Sequence, residues 1–283
     1  MTTMSTTTDG RPVLVAGGTG KTGRRVAAGL RALGRPVRIA ARNVAPAADA
    51  VRFDWADREG WPAALEGVGA VYIAYAPDLA VPGAADDITA FATAARVAGA
   101  GRIVMLSGRG EEGAEAAERA LAGVGQAGAG LDWTVVRASW FQQNFSEGLL
   151  AEALATGELA LPVGDVPEPF IDADDIAAVA VTALTEDGFS GRILEVTGPR
   201  ALTFAQAVAE IARATGRPIT YRQIPMDDFL AGLEARGVPD DMRAFLAWLF
   251  TTLFDGRNSA PTPTVAEVLG RPARDLAQGL TVA

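Results

Sequence analysis

The stretch Val13-Leu14-Val15-Ala16-Gly17-Gly18-Thr19-Gly20-Lys21-Thr22-Gly23-Arg24 constrains what this chain can fold into more than any other. Four residues of strand character run into glycines at 17, 20 and 23, and a helical pattern follows at once. A strand, a tight turn and a helix N-terminus in that order form a cradle for a dinucleotide pyrophosphate, because backbone N–H groups and the positive end of the helix dipole meet at the turn. Gly17 allows the turn, Gly20 lets the backbone approach the phosphates, and Gly23 lets the helix pack closely on the strand. Lys21 and Thr22 begin the helix, where they can meet a phosphate. The run Gly20-Lys21-Thr22 also resembles the end of a Walker A loop. The first glycine of that motif would fall on Val15, inside the strand, so the match fails.

What the chain lacks narrows its chemistry. It has no Cys and no His, which removes disulfides, thiol nucleophiles, Ser-His-Asp triads and ordinary zinc sites, and no metal is expected. Of its 25 basic residues only Lys21 is a lysine, so a catalytic lysine would have to be that one. A net charge of −9 argues against a basic face for nucleic acid. No apolar run of about 18 residues is present to span a bilayer. Residues 1–10 are polar, without the basic and apolar regions of a signal peptide, and read as a disordered tail; the expected location is the cytoplasm.

After the first unit, strand patterns at 36–41, 51–53, 70–75, 102–106, 131–136 and 191–196 alternate with helical ones at 61–66, 87–98, 111–122 and 172–184. That rhythm predicts an α/β fold, a Rossmann-type doubly wound parallel sheet, with a smaller α+β substrate-covering C-terminal part. The expected division is 11–138 plus 172–196 for the cofactor domain, and 139–171 plus 197–283 for the covering part. Ligands of such sheets lie beyond the carboxyl ends of the strands, so the residues just after each strand carry the function. The second strand ends in Ala40-Ala41-Arg42-Asn43, with no carboxylate to hold a ribose 2′-OH. A guanidinium there suits a 2′-phosphate, and the expected cofactor is NADP(H). Asp54 and Trp55 follow the third strand beside the expected adenine. Tyr75, Ala76 and Pro77 follow the fourth beside the nicotinamide ribose, and Ser107 ends the fifth. Trp140 and Phe141 offer an apolar wall to a planar substrate. Gln142 and Asn144, with Ser107 and Tyr75, offer neutral hydrogen bonds.

The set Gly17 to Gly23, Phe53-Asp54-Trp55, Val136 to Phe145 and Pro169 to Ala177, with Val196 to Phe204 and Gly216 to Tyr221 behind it, resembles the NmrA-like branch of atypical short-chain dehydrogenases. Within that branch the Phe-Asp-Trp stretch is similar to bacterial relatives of the ergot-alkaloid reductases and to quinone-reductase-like proteins. The resemblance spans roughly residues 12 to 225. It implies NADP(H) at Gly17, Thr19, Gly20, Lys21, Thr22, Arg42, Asp54 and Ser107. The chain departs from the wider superfamily in one respect. Active short-chain dehydrogenases use Tyr-x-x-x-Lys, whereas the helix after Ser107 reads Arg109-Gly-Glu-Glu-Gly-Ala-Glu-Ala-Ala-Glu-Arg119 and holds neither residue. Carbonyl reduction needs a proton for the developing alkoxide. An iminium needs none, and a quinone or enone spreads its charge until a proton arrives. The expected function is therefore an NADPH-dependent reductase of a small or polycyclic hydrophobic molecule, with Ser107, Tyr75 and Asn144 as its hydrogen-bonding groups. A non-catalytic NADP(H) sensor acting on a protein partner, and a redox-neutral isomerase or cyclase, stay open beside it.

Overall fold

The structure, a computed structural model, describes residues 10–45, 47–127 and 130–279. Apart from Gly10, the polar tail lies outside the described residues. Contacts divide the chain into two units. The first takes residues 10–138, 173–196 and 264–271, the second 139–172, 197–263 and 272–279. Two stretches differ from the expected division: Asp172 goes with the second unit, and the short helix Thr264–Leu269 goes with the first, against Ala173–Thr185.

Strands β1 (Val13–Ala16), β2 (Val37–Ala41), β3 (Ala50–Arg52), β4 (Ala70–Ile73), β5 (Arg102–Gly108) and β6 (Asp132–Ala138) belong to the first unit, β7 (Glu158–Leu161) to the second, and β8 (Arg192–Val196) to the first again. Among the described residues the first unit holds one sheet, all parallel, in the order β3-β2-β1-β4-β5-β6-β8. β1 and β4 are fully buried, as expected of strands covered on both faces. The order reverses between β1 and β4, and at such a switch point adjacent crossovers leave on opposite faces and open a crevice at the carboxyl edge. Helices α1 (Lys21–Ala32), α2 (Trp61–Leu65), α3 (Ala84–Val97), α4 (Glu112–Gln126) and α6 (Ala173–Thr185) cover the sheet, with α3 packed along α4 and α1 along α6.

The register puts the end of β4 level with Met105, so β5 runs three residues further, to Gly108, paired with Ala138 and through it with Val196. The sequence pattern stops both strands two residues early, because it registers the apolar runs and not the ladder bonds that carry Ser107-Gly108 and Arg137-Ala138 onward. Alternation then decides where Ser107 points. It shares a face with Ile103 and Met105, which pack in the same core as Ala114, Ala117 and Leu121 of α4.

In the second unit β7 pairs with β9 (Thr220–Gln223) in a two-stranded parallel sheet. After β6 the chain forms a 3-10 turn at Gln142–Asn144 and a short helix, α5 (Leu149–Ala155), kept apart because Gly148 with φ +91° interrupts the run. Phe145, Phe170 and Phe204 meet edge to face at 5.1–5.8 Å in its core. Leu249, Phe250 and Leu253 of the Trp-containing helix Asp240–Leu253 are buried in the same cluster. Helix α7 (Phe204–Thr215) opens with a capping box: Gln206 N–H donates to Thr203 Oγ1 at 3.1 Å, and Thr203 N–H donates to Gln206 Oε1 at 2.9 Å. Thr203→Ala is expected to destabilise the protein by about 1 kcal/mol in urea unfolding, and a loss under about 0.3 kcal/mol would show the cap to be redundant. No helix among the described residues is long and apolar enough to cross a membrane.

Candidate functional site

At Gly17 and Gly23 the turn leaves no room for a side chain. Gly17 has φ +78°, and a Cβ there would stand 2.6 Å from the Ala74 carbonyl oxygen. On Gly23 a Cβ would stand 2.2 Å from Gly17 O, which measures how closely α1 is pressed onto the loop. Gly20 N–H donates to Gly17 O at 2.9 Å and closes the turn. Gly20 is the N-cap of α1 and offers no side-chain acceptor, and the first turn carries no acidic residue. The opening N–H groups of α1 therefore have no capping side chain and are aimed beyond the sheet, the donor set an anion needs. These residues fit a dinucleotide pyrophosphate. Thr19 and Gly20 are exposed at the rim, Lys21 is half-buried, and Thr22 is buried beneath.

Arg42, the first residue after β2, is exposed and forms no hydrogen bond or ion pair with any described residue. Asp54 is half-buried, and its Oδ1 accepts from Ala56 N–H at 3.1 Å in a local turn. Trp55 stands differently from its expected place at the adenine. It is 8% exposed and packs edge to face on Phe53 (4.9 Å), Trp61 (6.0 Å) and Phe91 (5.0 Å), because burying so large a ring in the core releases more than leaving it at a wet edge. Ala76 is exposed beyond β4.

Two of the three side chains expected to act on substrate, Tyr75 and Ser107, stand in other roles. Tyr75 donates its hydroxyl to Asp87 Oδ2 at 2.7 Å, Arg58 reaches the other oxygen at 2.6 Å, and the ring leans on Trp55 at 4.7 Å. Burial first, and Asp87 next, push its phenol well above the usual range, so it keeps its proton. Tyr72 is wholly buried in β4 and is pushed up by that burial. Ser107 is 4% exposed and donates to Glu118 Oε1 at 2.6 Å. Arg137 donates to the same oxygen from Nε at 2.9 Å and to Glu118 Oε2 from Nη2, and reaches Glu195 Oε1 at 3.3 Å. Ser107, Arg137 and Glu195 are thus one row across β5, β6 and β8, with Glu118 of α4 closing it. The Glu118 hydrogen bonds hold the Arg137 guanidinium far above its usual range.

In the second unit, the Trp140 ring sits among Phe204 (6.2 Å), Phe250 (5.6 Å) and Phe254 (5.2 Å), and the Trp140 backbone N–H donates to Glu168 Oε1 at 3.1 Å. Phe141 is half-buried and pairs with Ile171 in an isolated bridge. Gln142 is buried and donates from Nε2 to the carbonyls of Phe170 (3.0 Å) and Arg274 (3.2 Å), which makes it a clasp within this unit. Asn144 ends the 3-10 turn, its N–H donating to Phe141 O at 3.1 Å.

Two acids at the first unit's carboxyl edge escaped the sequence reading. Glu118 had a signal: it stands four residues after Ala114 and three before Leu121, on the buried stripe of an otherwise apolar helix face. Glu111, buried at the head of α4 against Asp78, had none, because its partner is 33 residues away in sequence and is brought to it only by the sheet order.

Residues 17–187 match a family described as NAD(P)H-binding, and residues 128–276 match the NmrA-like family. An uncharacterized oxidoreductase of Bacillus subtilis, YesF, is 36% identical over 94% of this chain and 93% of its own length. An NAD(P)H azoreductase of Xenophilus azovorans is 31% identical over 94% of this chain and 96% of its own. Among solved structures, the NADPH-dependent quinone oxidoreductase of Escherichia coli in complex with NADPH superposes with a TM-score of 0.78 at 24% identity, over 94% of this chain and 97% of that one.

Proposed function

This chain belongs to the NmrA-like family and is an NAD(P)H-binding oxidoreductase, and we propose that it uses NADPH to reduce a flat, conjugated acceptor of the quinone or azo class. The observation that carries the reading is the glycine cradle with Arg42 beside it: an anion site at the head of α1, and one further along an exposed guanidinium without a partner among the described residues. The relatives' names support the acceptor class. Bound NADPH would supply a hydride. The chain's own part is to hold the pyrophosphate on the N–H groups after Gly20, to set Arg42 against the 2′-phosphate, and to keep Tyr75 and Ser107 tied to Asp87 and Glu118. Trp140, Phe141 and Asn144 stay our candidates for substrate contact on the second unit.

The deciding experiment follows NADPH absorbance with a panel of quinones, azo dyes and cyclic imines. Oxidation with at least one quinone or azo compound is expected. Tight binding with no oxidation by any of them would instead favour a cofactor sensor, the reading that the missing Tyr-x-x-x-Lys pair supports. Cofactor choice has its own test. Arg42→Ala is expected to weaken NADPH binding roughly 10- to 100-fold, the worth of one charge-assisted hydrogen bond, while NADH binding stays level. Equal effects on the two cofactors would remove Arg42 from the 2′-phosphate.

A further inference from the structure

Resting on that reading of the chain as a reductase, we propose that Glu111 and Asp78 are its proton source: Glu111 donates the proton that the acceptor needs after hydride transfer, and Asp78 brings in the next one from water. A quinone that takes a hydride becomes a hydroquinone monoanion, and an azo group becomes a hydrazide anion. Each then needs one proton from an acid at the site. The usual groups are absent or engaged here. The chain has no His, its one lysine lies in the glycine cradle, Tyr75 donates to Asp87, and Ser107 donates to Glu118.

Three close contacts fix Glu111 at the carboxyl edge of the sheet. A Cβ on Gly108 would stand 2.2 Å from Glu111 Oε1 and 2.9 Å from Oε2, so the carboxyl folds back over the last residue of β5, at the carboxyl edge of the sheet. A Cβ on Gly113 would stand 2.6 Å from Ala80 O and 2.7 Å from its Cα, so the loop after β4 lies flush on the first turn of α4. That contact sets the Asp78 carboxyl against Glu111 in a hydrogen bond, while Asp78 Oδ1 also accepts from Ala80 N–H at 2.8 Å. Glu111 is 8% exposed and Asp78 half-buried, so the pair has one dry end and one wet end.

The surrounding charges keep the proton on. Asp78 faces Glu111 from the β4 loop. Glu112 and Glu115 share the first turn of its own helix, and Arg109 just before it is directed to Glu195 at 3.6 Å. From α3, packed along α4, come Asp86 and Asp87, the latter bound by Tyr75 and Arg58. Burial first, then the Asp78 charge, push Glu111 up to about 8, so it is protonated at neutral pH. In the step itself the Glu111 O–H bond breaks as the O–H of the hydroquinone, or the N–H of the hydrazo product, forms. Glu111 is left a carboxylate, and a proton from water returns to it through Asp78. The acceptor has gained two electrons and two protons, one as the hydride of NADPH, and NADP+ leaves.

Two measurements test this. The first is infrared titration of the wild-type protein, which needs no variant. It should show the carbonyl band of a protonated buried carboxylic acid at pH 7 that fades as pH rises through about 8; Glu111→Gln should lack that band. The second is the pH profile of kcat with a quinone. Because the acid acts only while it carries its proton, the wild-type rate should fall above about pH 8. Glu111→Gln should lose about 100-fold in kcat and the alkaline limb with it, with NADPH affinity unchanged. Asp78→Asn removes the like charge and should move the limb to lower pH, which a merely structural role would not do. Absence of the band, an unchanged rate in Glu111→Gln, or a limb that Asp78→Asn leaves in place overturns the assignment. A wild type that turns over while Glu111→Gln matches it overturns the proton source alone. A wild type with the band that oxidises NADPH with no acceptor overturns the reductase reading, and the donor role falls with it.

Discussion

Gly23→Ala should lower NADPH affinity by at least about 100-fold while far-UV circular dichroism shows the fold retained. The methyl would stand 2.2 Å from Gly17 O, 2.8 Å from Gly17 C and 2.9 Å from Gly18 Cα, all of them backbone. No side-chain rotation relieves an overlap with backbone, so the loop or the helix must move, at a cost of about 1–3 kcal/mol. Whichever moves, the N–H groups that converge on the pyrophosphate lose their common aim. Gly18 is packed closely as well, since a Cβ there would stand 2.8 Å from Ile39 Cγ2. Gly123→Ala is the matching control. It stands in α4 with nothing within 4 Å of its Cβ position, and there the methyl should be neutral or add up to about 1 kcal/mol of stability. Fluorescence titration of NADPH separates the two. Undiminished affinity in Gly23→Ala would sink the assignment of this loop to the cofactor.

Glu118→Ala should cost about 3–5 kcal/mol of stability, on the order of 10 °C in melting temperature. Glu118 is 3% exposed and accepts from Ser107 Oγ and from both Nε and Nη2 of Arg137. Removing it leaves a guanidinium that is 18% exposed with only Glu195, itself 34% exposed and 3.3 Å away, to balance it. A buried charge that has lost its close partner is the costly case, well beyond the value of any surface pair. Ser107→Ala removes a single donor and should cost only about 1 kcal/mol. If Ser107 serves Glu118 and not the substrate, that variant should keep its turnover with quinones. A loss under about 1 kcal/mol in Glu118→Ala would show that the row does not hold β5, β6 and β8 to α4. A large loss of kcat in stably folded Ser107→Ala would return Ser107 to the reacting atoms.

The contrast between Ser107 and Arg42 shows how far residue order reaches. Arg42 stands exposed just past β2, as expected, because that placement depends on one strand end alone. Ser107 was expected at the reaction centre because it ends β5, which it nearly does. Its direction depends on pairing with Arg137 and on a helix face 11 residues on, and neither appears in a local pattern. Tyr75 is the same case: its partner Asp87 lies across a loop and the start of α3. Trp55 and Gln142 each follow a strand, where ligand contacts are expected, whereas packing draws one into an aromatic core and the other into a clasp on two carbonyls.

By itself the sequence determined the parallel sheet, the dinucleotide cradle and the want of a Tyr-x-x-x-Lys pair, because strand periodicity, glycine spacing and residue type are local properties of the chain. Only the tertiary structure decided which acids share the carboxyl edge. Asp78 and Glu111 meet because β4 and β5 are neighbours and Ala80 lies on Gly113. Ser107 and Glu118 meet because β5 extends three residues past β4 and turns that side chain toward α4. Whether a carboxyl keeps its proton is set by burial and by the charges facing it, and those come into being only when distant segments pack.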